Sequence, residues 1–258
     1  MKSLREFRAD LHIHSCLSPC ADLAMTPLRA ARRARSLGLD MMALVDHNSA
    51  ENARYGKNAC GAVGGLSFLP GLEITSSEEV HVVAVFRDVE DALSMQTTVY
   101  EKLPPGKNDS DLFGDQVIVN ENDEVEGMCD RMLIGAVAME LKDVVDQIHR
   151  LGGIAIAAHI DREAFGVVGQ LGFIPPDVAF DAVEMTVALP EAGEDGPAGG
   201  GRPGAGRRFP VLFSSDAHKL DEIGKKSTRF LLKSPGFDEI RMALEEVGGR
   251  KVEGGARY

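Results

Sequence analysis

The stretch RADLHIHSCLSPC, Arg8 to Cys20, opens with the alternation of a β-strand and ends in a Ser-, Pro- and Cys-containing loop. Alternation sends the side chains of His12 and His14 to the same side of that strand. Two adjacent imidazoles at the end of an apolar run suggest a shared partner. Just downstream, Thr26-Pro27 supplies an N-cap and an N1 proline for the helix LRAARRARSLG, closed by Gly38. Met41–Val45 is then an apolar strand ending in Asp46-His47-Asn48. A strand, a helix and a second strand form a βαβ unit, which favours a parallel sheet wrapped by helices.

The rhythm continues along the chain. Ser67–Ile74 is a strand with Glu73 near its end, and Val80–Phe86 is another with His81 at its start. Ile154–Ala158 follows a Gly-Gly helix stop and runs into His159-Ile-Asp161-Arg162. Asp181–Thr186 reads as a further strand, and Val211–Phe213 leads into Ser214-Ser215-Asp216-Ala217-His218. These and Phe7–His14 make seven candidate strands, with polar residues gathered mostly at their C-terminal ends. Both α/β barrels and open α/β sheets place their sites there.

Two regions interrupt the pattern. Residues 88–138 form an insertion: a helix through Tyr100, then Pro104-Pro105-Gly106, then a hairpin with its turn around Asn120–Asp123. It reads either as a lid over the site or as surface decoration. Residues 191–208 are glycine-rich and are expected to form a flexible loop. Neither segment looks like a separate domain, so a single domain over 1–258 is expected.

The 258 residues carry 44% hydrophobic and 26% charged side chains, ordinary values for a globular chain. No window approaches the roughly 18 apolar residues of a membrane span. The start, MKSLREFR, offers no apolar signal region, and the four cysteines include no C-x-x-C pair. A reduced, cytoplasmic protein is expected. The net charge of −12, the absence of Trp and the presence of only three Tyr argue against long nucleic acid as a substrate. A small phosphorylated metabolite or nucleotide is the expected partner, held by metal ions or a few local cations.

Six of the seven histidines sit at or beside the end of an apolar or alternating run; His149, in an amphipathic helix, reads as structural. His12, His14, His47, Glu73, His81, His159, Asp216 and His218 all fall at strand ends, with Asp10, Asp22 and Asp46 nearby. Any one alone is an ordinary hydrogen-bonded core or turn residue. Together, at one edge of a sheet, they would repel one another if protonated and unpaired. Divalent cations remove that difficulty, since neutral imidazole and carboxylate are their natural ligands. The number of donors suffices for two or three ions with Glu73 as a bridge, and nitrogen and oxygen donors tilt the metal towards manganese, iron or zinc. Ions about 3.5–4 Å apart are a device for hydrolysing phosphate esters.

The motifs DLHIH, LVDHN, GLEITSSEEVHV, AAHIDR and SSDAH, in that order between Asp10 and His218, resemble the polymerase and histidinol phosphatase (PHP) superfamily. The resemblance implies a distorted (β/α)7 barrel with a trinuclear centre at the C-terminal edge. It implies that His12, His14, Glu73 and Asp216 hold one ion. Glu73, His81 and His159 would hold a second, and His47 and His218 a third. The last ligand of the third ion comes soon after the second histidine in relatives. Here the loop SCLSPCAD is longer, and Asp22, its only carboxylate, is chosen over Cys20. Asp46 and Asp10 are expected to orient His47 and the His12/His14 pair.

The expected reaction is metal-dependent hydrolysis of a phosphate ester, with the ions activating water and neutralising the phosphate oxygens. Arg162 is the candidate phosphate clamp, its alternative being an ion pair with Asp161 or another acid. His218 is both a proposed ligand and a neighbour of the leaving oxygen, and Lys219 a further contact. The rival readings are an exonuclease of short oligonucleotides, a non-catalytic metal-binding module, and a non-phosphate metallohydrolase. The last would want a lysine ending a middle strand, and no candidate strand has one.

Overall fold

The computed structural model describes residues 3–187, 209–254 and 257–258. The glycine-rich segment 191–208 lies outside the described residues. Among the described residues there are eleven strands: β1 Arg5–Ile13, β2 Met41–Leu44, β3 Ser67–Thr75, β4 His81–Val85, β5 Val117–Val119, β6 Val125–Met128, β7 Ile154–Ala157, β8 Ala182–Glu184, β9 Val211–Leu212, β10 Thr228–Leu232 and β11 Lys251–Val252. The α-helices are α1 Pro27–Ser36, α2 Ala53–Val63, α3 Val89–Lys102, α4 Ser110–Phe113, α5 Leu141–Arg150, α6 Val167–Leu171 and α7 Phe237–Leu244. Among the described residues no helix is long and apolar enough to cross a membrane.

Nine strands form one sheet in the order β11-β10-β1-β2-β3-β4-β7-β8-β9. The chain just beyond β9 then returns to β1 through a parallel bridge between Ile13 and Ala217. Hydrogen bonds from His14 N to Ala217 O (3.0 Å) and from Ala217 N to His12 O (3.3 Å) complete that seam. The ring therefore has seven staves, β1, β2, β3, β4, β7, β8 and β9, with β10 and β11 continuing outside it. This is the expected distorted (β/α)7 barrel.

The departure from a regular barrel lies at β4, which runs antiparallel to both β3 and β7. Only five residues, Ser76–Val80, separate β4 from β3, too few for a parallel crossover, which needs a dozen or more. The reversal puts the start of β4, and with it His81, on the rim formed by the C-terminal ends of its neighbours. Sequence alone showed His81 at the wrong end of its strand for a site; strand direction resolves the discrepancy.

The interior is apolar below that rim. Phe7, Ala9 and Leu11 of β1, Met41 and Ala43 of β2 with Val45, Leu69 of β3, Val83 and Val85 of β4, Ile154 and Ile156 of β7, Ala182 of β8 and Leu212 of β9 form one buried cluster. By the two-residue period, the next inward positions are His47, Glu73, His81 and Glu184. On β1 the register against β2 shifts between Asp10 and Ile13. Such a bulge re-aims the side chains beyond it, and His12 and His14 take over the inward direction from Leu11. Gly71 lies on β3 where a Cβ would come within 2.2 Å of the Ala84 carbonyl oxygen, so the close approach of β3 and β4 requires glycine.

The helices cover the outer faces. Ala30, Ala31 and Ala34 of α1 and Ala59 and Cys60 of α2 pack on Met42 and Leu44, while Val144, Val145 and Ile148 of α5 pack on Ala155 and Ala157. Thr26 caps α1 by accepting from Arg29 N, and Gly38 closes the turn after it at φ +72°. His149 accordingly faces outward from α5 and pairs with Asp181 at 2.9 Å.

The insertion carries α3, α4 and the β5–β6 hairpin. It is tied to the loop after His14: Val117 N donates to Cys16 O (2.9 Å), and Asn52 bridges Val117 O and Val119 N. Gly114, at φ +98°, abuts the carbonyl of Pro19 so closely that a Cβ would sit 2.1 Å from it. Asn48, on the loop after β2, donates to the carbonyls of Leu133 and Gly135, both at 2.8 Å.

Candidate metal centre

Each of the seven staves delivers ionisable side chains to one rim. His12 and His14 come from β1, His47 from the end of β2, Glu73 from β3, His81 from β4, His159 from the end of β7, Glu184 from β8, and Asp216 and His218 from the loop after β9. Glu73 lies at the middle: His12, His47, His81 and His159 each bring a ring nitrogen within 2.8–3.3 Å of one of its oxygens, and His14 within 3.4 Å. Asp216 sits across from it, 3.3 Å from His12 Nε2 and 3.2 Å from His14 Nε2. His159 and Asp216 hold this geometry with φ of 28° and 51°, a backbone cost of the kind that functional sites carry.

Hydrogen-bond accounting fixes three of the rings. The carboxylate of Glu184 accepts from His12 Nδ1 (3.1 and 3.2 Å), leaving the His12 Nε2 lone pair facing inward. Ser18 spends its single hydroxyl proton on Asp46 (2.6 Å), so its oxygen accepts from His14 Nδ1 (2.9 Å), and Nε2 is again the free nitrogen. His218 Nδ1 donates to the carbonyl of Asp216 at 2.9 Å. A ring locked by a donor bond on one nitrogen and open on the other is the usual state of a metal-binding histidine.

The other side of the cluster is unsatisfied. His47 Nδ1, His81 Nδ1, His159 Nδ1 and Glu73 Oε1 are buried without a hydrogen-bond partner among the described residues. Buried polar atoms are otherwise paired in the great majority of cases, and four orphans in one place mark a missing ligand. Three sets of ligand atoms lie within 4.8 Å of one another: His12, His14 and Asp216; His47, Glu73 and His81; and His14, His47 and His218. These donors fit divalent metal ions.

Charges left without a cation are correspondingly distorted. Burial works against ionising Glu73, but His81, His12 and His47 overcome it and hold the carboxyl well below its usual range. Burial likewise opposes charge on His12, yet Glu184, Asp216 and Glu73 raise it well above an ordinary imidazole. His47 is raised to about 10 in the same way, chiefly by Glu73. His14, buried and next to His218, is pushed well below. Without metal the rim stores protons on some rings and excludes them from others.

Three expected roles are corrected by the geometry. Asp46 does not touch the His47 ring; it takes Ser15 N, Ser15 Oγ and Ser18 Oγ, all at 2.6 Å, and reaches His14 through Ser18. Asp10 accepts from Ser215 N (3.0 Å) and Gly224 N (2.9 Å), fastening the loop that carries Asp216 rather than the histidines; burial raises its pKa to about 6. Asp22 is exposed, with its carboxylate turned onto Ala24 N at 2.8 Å, outside the three sets. Arg162 pairs with Asp216 at 2.6 Å, and Asp161 instead accepts from Thr186 and Val187. The Lys219 side chain is exposed. Glu184 was missed by sequence reading, although DAVEMT places a carboxylate at a strand end as GLEIT does.

The residues 205–247 match the PHP_C model, described as PHP-associated. No curated protein is significantly similar in sequence. The fold is similar to that of the lesion-specific endonuclease Q from Pyrococcus furiosus, with a TM-score of 0.68 at 20% identity over 96% of this chain. The family match covers residues 205–247, and the likeness over the rest of the chain is one of fold. Two further structures of similar fold are an endonuclease Q complex with a 27-mer duplex carrying an abasic lesion at the active site (TM-score 0.63, 20% identity, 96% of this chain) and a protein described as a metal-dependent phosphoesterase from Bifidobacterium adolescentis (TM-score 0.53, 17% identity, 90% of this chain and 94% of that one). This chain spans 58% of the length of the endonuclease chains.

The endonuclease complex overturns the expectation that long nucleic acid is an unlikely substrate, and with it the preference for a small phosphorylated partner. Net charge is a sum over the whole surface and says nothing of the local charge at one rim. Counting Trp and Tyr also overlooked Phe165. It is 40% exposed, has φ 61°, and stacks on His81 with ring centroids 4.4 Å apart.

Proposed function

We propose that this protein belongs to the PHP superfamily and is a metal-dependent phosphoesterase that cleaves phosphodiester bonds in nucleic acid. The observation that carries the reading is the convergence of six histidines, Glu73 and Asp216 on one rim with four buried orphan atoms among them. Two or three divalent ions of manganese, iron or zinc, when bound, would supply water activation and charge neutralisation at the phosphorus. Within that arrangement, His12, His14, Glu73 and Asp216 would hold one ion, Glu73, His81 and His159 a second, and His47 and His218 belong to a third.

The rest is done by the chain's own groups. Glu184, Ser18 with Asp46, and the Asp216 carbonyl keep three rings in the ligating tautomer. Arg162 is 44% exposed at the mouth, and its guanidinium already binds one carboxylate. A phosphate presents comparable oxygens, so Arg162 is the candidate clamp on a scissile or flanking phosphate. His218, 26% exposed, is the nearest candidate ligand to solvent and so to a leaving oxygen. Phe165 offers an aromatic face beside His81, suited to stacking a base.

The test is strand cleavage by manganese-loaded protein on single-stranded and duplex DNA, with and without an abasic site, and on short RNA, beside p-nitrophenyl phosphate. Metal-dependent scission that disappears in His159→Ala, and that Phe165→Ala weakens on nucleic acid but not on p-nitrophenyl phosphate, is the expected result. Hydrolysis of amides or lactones with all phosphate esters inert would sink the reading.

A further inference from the structure

A chain of buried hydrogen bonds runs from the insertion to the ring of His14. It starts at β5, where Val119 N donates to Asn52 Oδ1 (3.1 Å) and Val117 O accepts from Asn52 Nδ2 (3.2 Å). The Asn52 side chain meets the strand as a peptide group would, and two backbone groups that cannot exchange roles fix the orientation of its amide. Asn52 Nδ2 also donates to Ser15 Oγ (2.9 Å), as does Leu17 N (3.2 Å), which leaves the Ser15 hydroxyl proton for Asp46 Oδ2 (2.6 Å). Asp46 Oδ1 in turn takes Ser15 N and the Ser18 hydroxyl, both at 2.6 Å. Ser18 Oγ then receives His47 N (3.1 Å) and His14 Nδ1 (2.9 Å). Asn52, Ser15, Ser18 and His14 are fully buried and Asp46 nearly so, which keeps bulk water from substituting for any of these partners.

We propose that the insertion sets a ligand of the metal centre through this chain: β5 orients Asn52, and Asn52, acting through Ser15, Asp46 and Ser18, is a positioning residue that keeps His14 Nε2 open for an ion. This rests on the metal-centre reading above and gives a part to residues 88–138, which the sequence left as lid or decoration. The donor roles carry the argument. Without Asn52, Val117 O becomes a bare buried acceptor, a costly state, and the Ser15 hydroxyl, bonded until then to the same nitrogen, can turn to it and away from Asp46. The carboxylate is then no longer held at both oxygens, and the Ser18 hydroxyl is free to donate to His14 Nδ1. The ring proton moves to Nε2, the nitrogen that faces the ion. A second buried amide fastens the insertion to the other ligand-bearing loop: Asn48, next to His47, donates to Leu133 O and Gly135 O (2.8 Å each) and accepts from Thr75 N (3.2 Å).

The experiment uses the full chain with nitrogen-15-labelled histidine, stripped of metal. Two-bond proton–nitrogen correlation reads the His14 tautomer, and competition with a chelator gives the zinc affinity. Wild-type His14 should be protonated at Nδ1. Asn52→Ala is expected to show a mixture of His14 tautomers and to bind zinc about tenfold less tightly. Ser15→Ala leaves the pairing of Asn52 with β5 in place and should do the same, so it carries the test if Asn52→Ala does not fold. Gln116→Ala is the control. Gln116 braces the insertion internally, donating to Cys129 O and Arg131 O (2.6 Å each) and accepting from Leu133 N (3.3 Å). Its loss should lower the melting temperature and leave tautomer and affinity as in wild type. Wild-type His14 protonated at Nε2, an unchanged tautomer in the folded variants, or an equal loss of affinity in Gln116→Ala overturns the coupling and leaves the metal centre standing. No zinc binding by wild type overturns both.

Discussion

His12 and His218 both direct a ring nitrogen into the same cluster, yet their surroundings share little. His12 is fully buried, with Glu184 behind it and Glu73 and Asp216 before it. His218 is 26% exposed, its Nδ1 held by the Asp216 carbonyl and its ring stacked on His14. The same contrast separates the two halves of the rim. Glu73 and His81 sit on staves and are buried, as is His159 in the turn just beyond β7, whereas Asp216, His218 and Arg162 sit on loops nearer solvent. A low-dielectric, rigid half suits tight retention of ions, because removing one would strand charges that burial makes costly. The loop-borne half suits exchange of ions and entry of a phosphate.

The comparison is broken most severely at Glu73. Glu73→Gln removes the carboxylate that five rings approach, and is expected to lower bound metal by elemental analysis and to reduce turnover about 10³-fold, the scale of losing a major electrostatic stabiliser. Full metal content in that variant would remove Glu73 from the bridge. Glu184→Gln keeps the shape but weakens the hold on His12. Metal affinity should fall about 10- to 100-fold with little change in the melting of the metal-free protein. An unchanged affinity would reduce Glu184 to a packing residue.

Protons report on the same difference. In the metal-free state the pKa of His12 is raised well above that of an ordinary imidazole and that of His47 is raised to about 10, so both rings carry protons at neutral pH. Glu73 and Asp216 are held below the usual carboxylate range and are already ionised. Metal uptake at neutral pH therefore releases imidazole protons, and affinity falls as pH falls. Calorimetry in two buffers of different ionisation enthalpy measures the release; identical heats would show that the rings are neutral beforehand. The smallest effect on the fold is expected from Arg162→Ala. Its ion pair is 44% exposed on the arginine side, so stability should change by no more than about 0.5–1 kcal/mol, while KM for phosphate esters rises. A large loss of stability with unchanged KM would make Arg162 a structural partner of Asp216.

Seven staves, the α1 caps and the strand ends that carry His12, His14, His47, Glu73, His159, Asp216 and His218 were legible because period, capping and apolar runs are local signals. What was not legible was non-local. The reversal of β4 that brings His81 to the rim follows from how five linking residues close against a neighbouring stave. The bulge that turns His12 inward follows from register with β2. Glu184 looked like any carboxylate in a short strand until His12 was placed beside it. Asp22 looked like a ligand in sequence, and only the fold shows its carboxylate turned onto Ala24 N. The outer strands β10 and β11 and the helix α7 carry no chemistry-bearing motif and went unread.

The seam between Ile13 and Ala217 has a consequence of its own. The ring is shut there by a single bridge and two backbone hydrogen bonds, not by a ladder. His14 lies on one side of that seam, Asp216 and His218 on the other, so a cation shared between them would act as a clasp on the bracelet. Ion loading would then strengthen the closure of the ring, and the metal supply of the surroundings would set how firmly the bracelet is fastened.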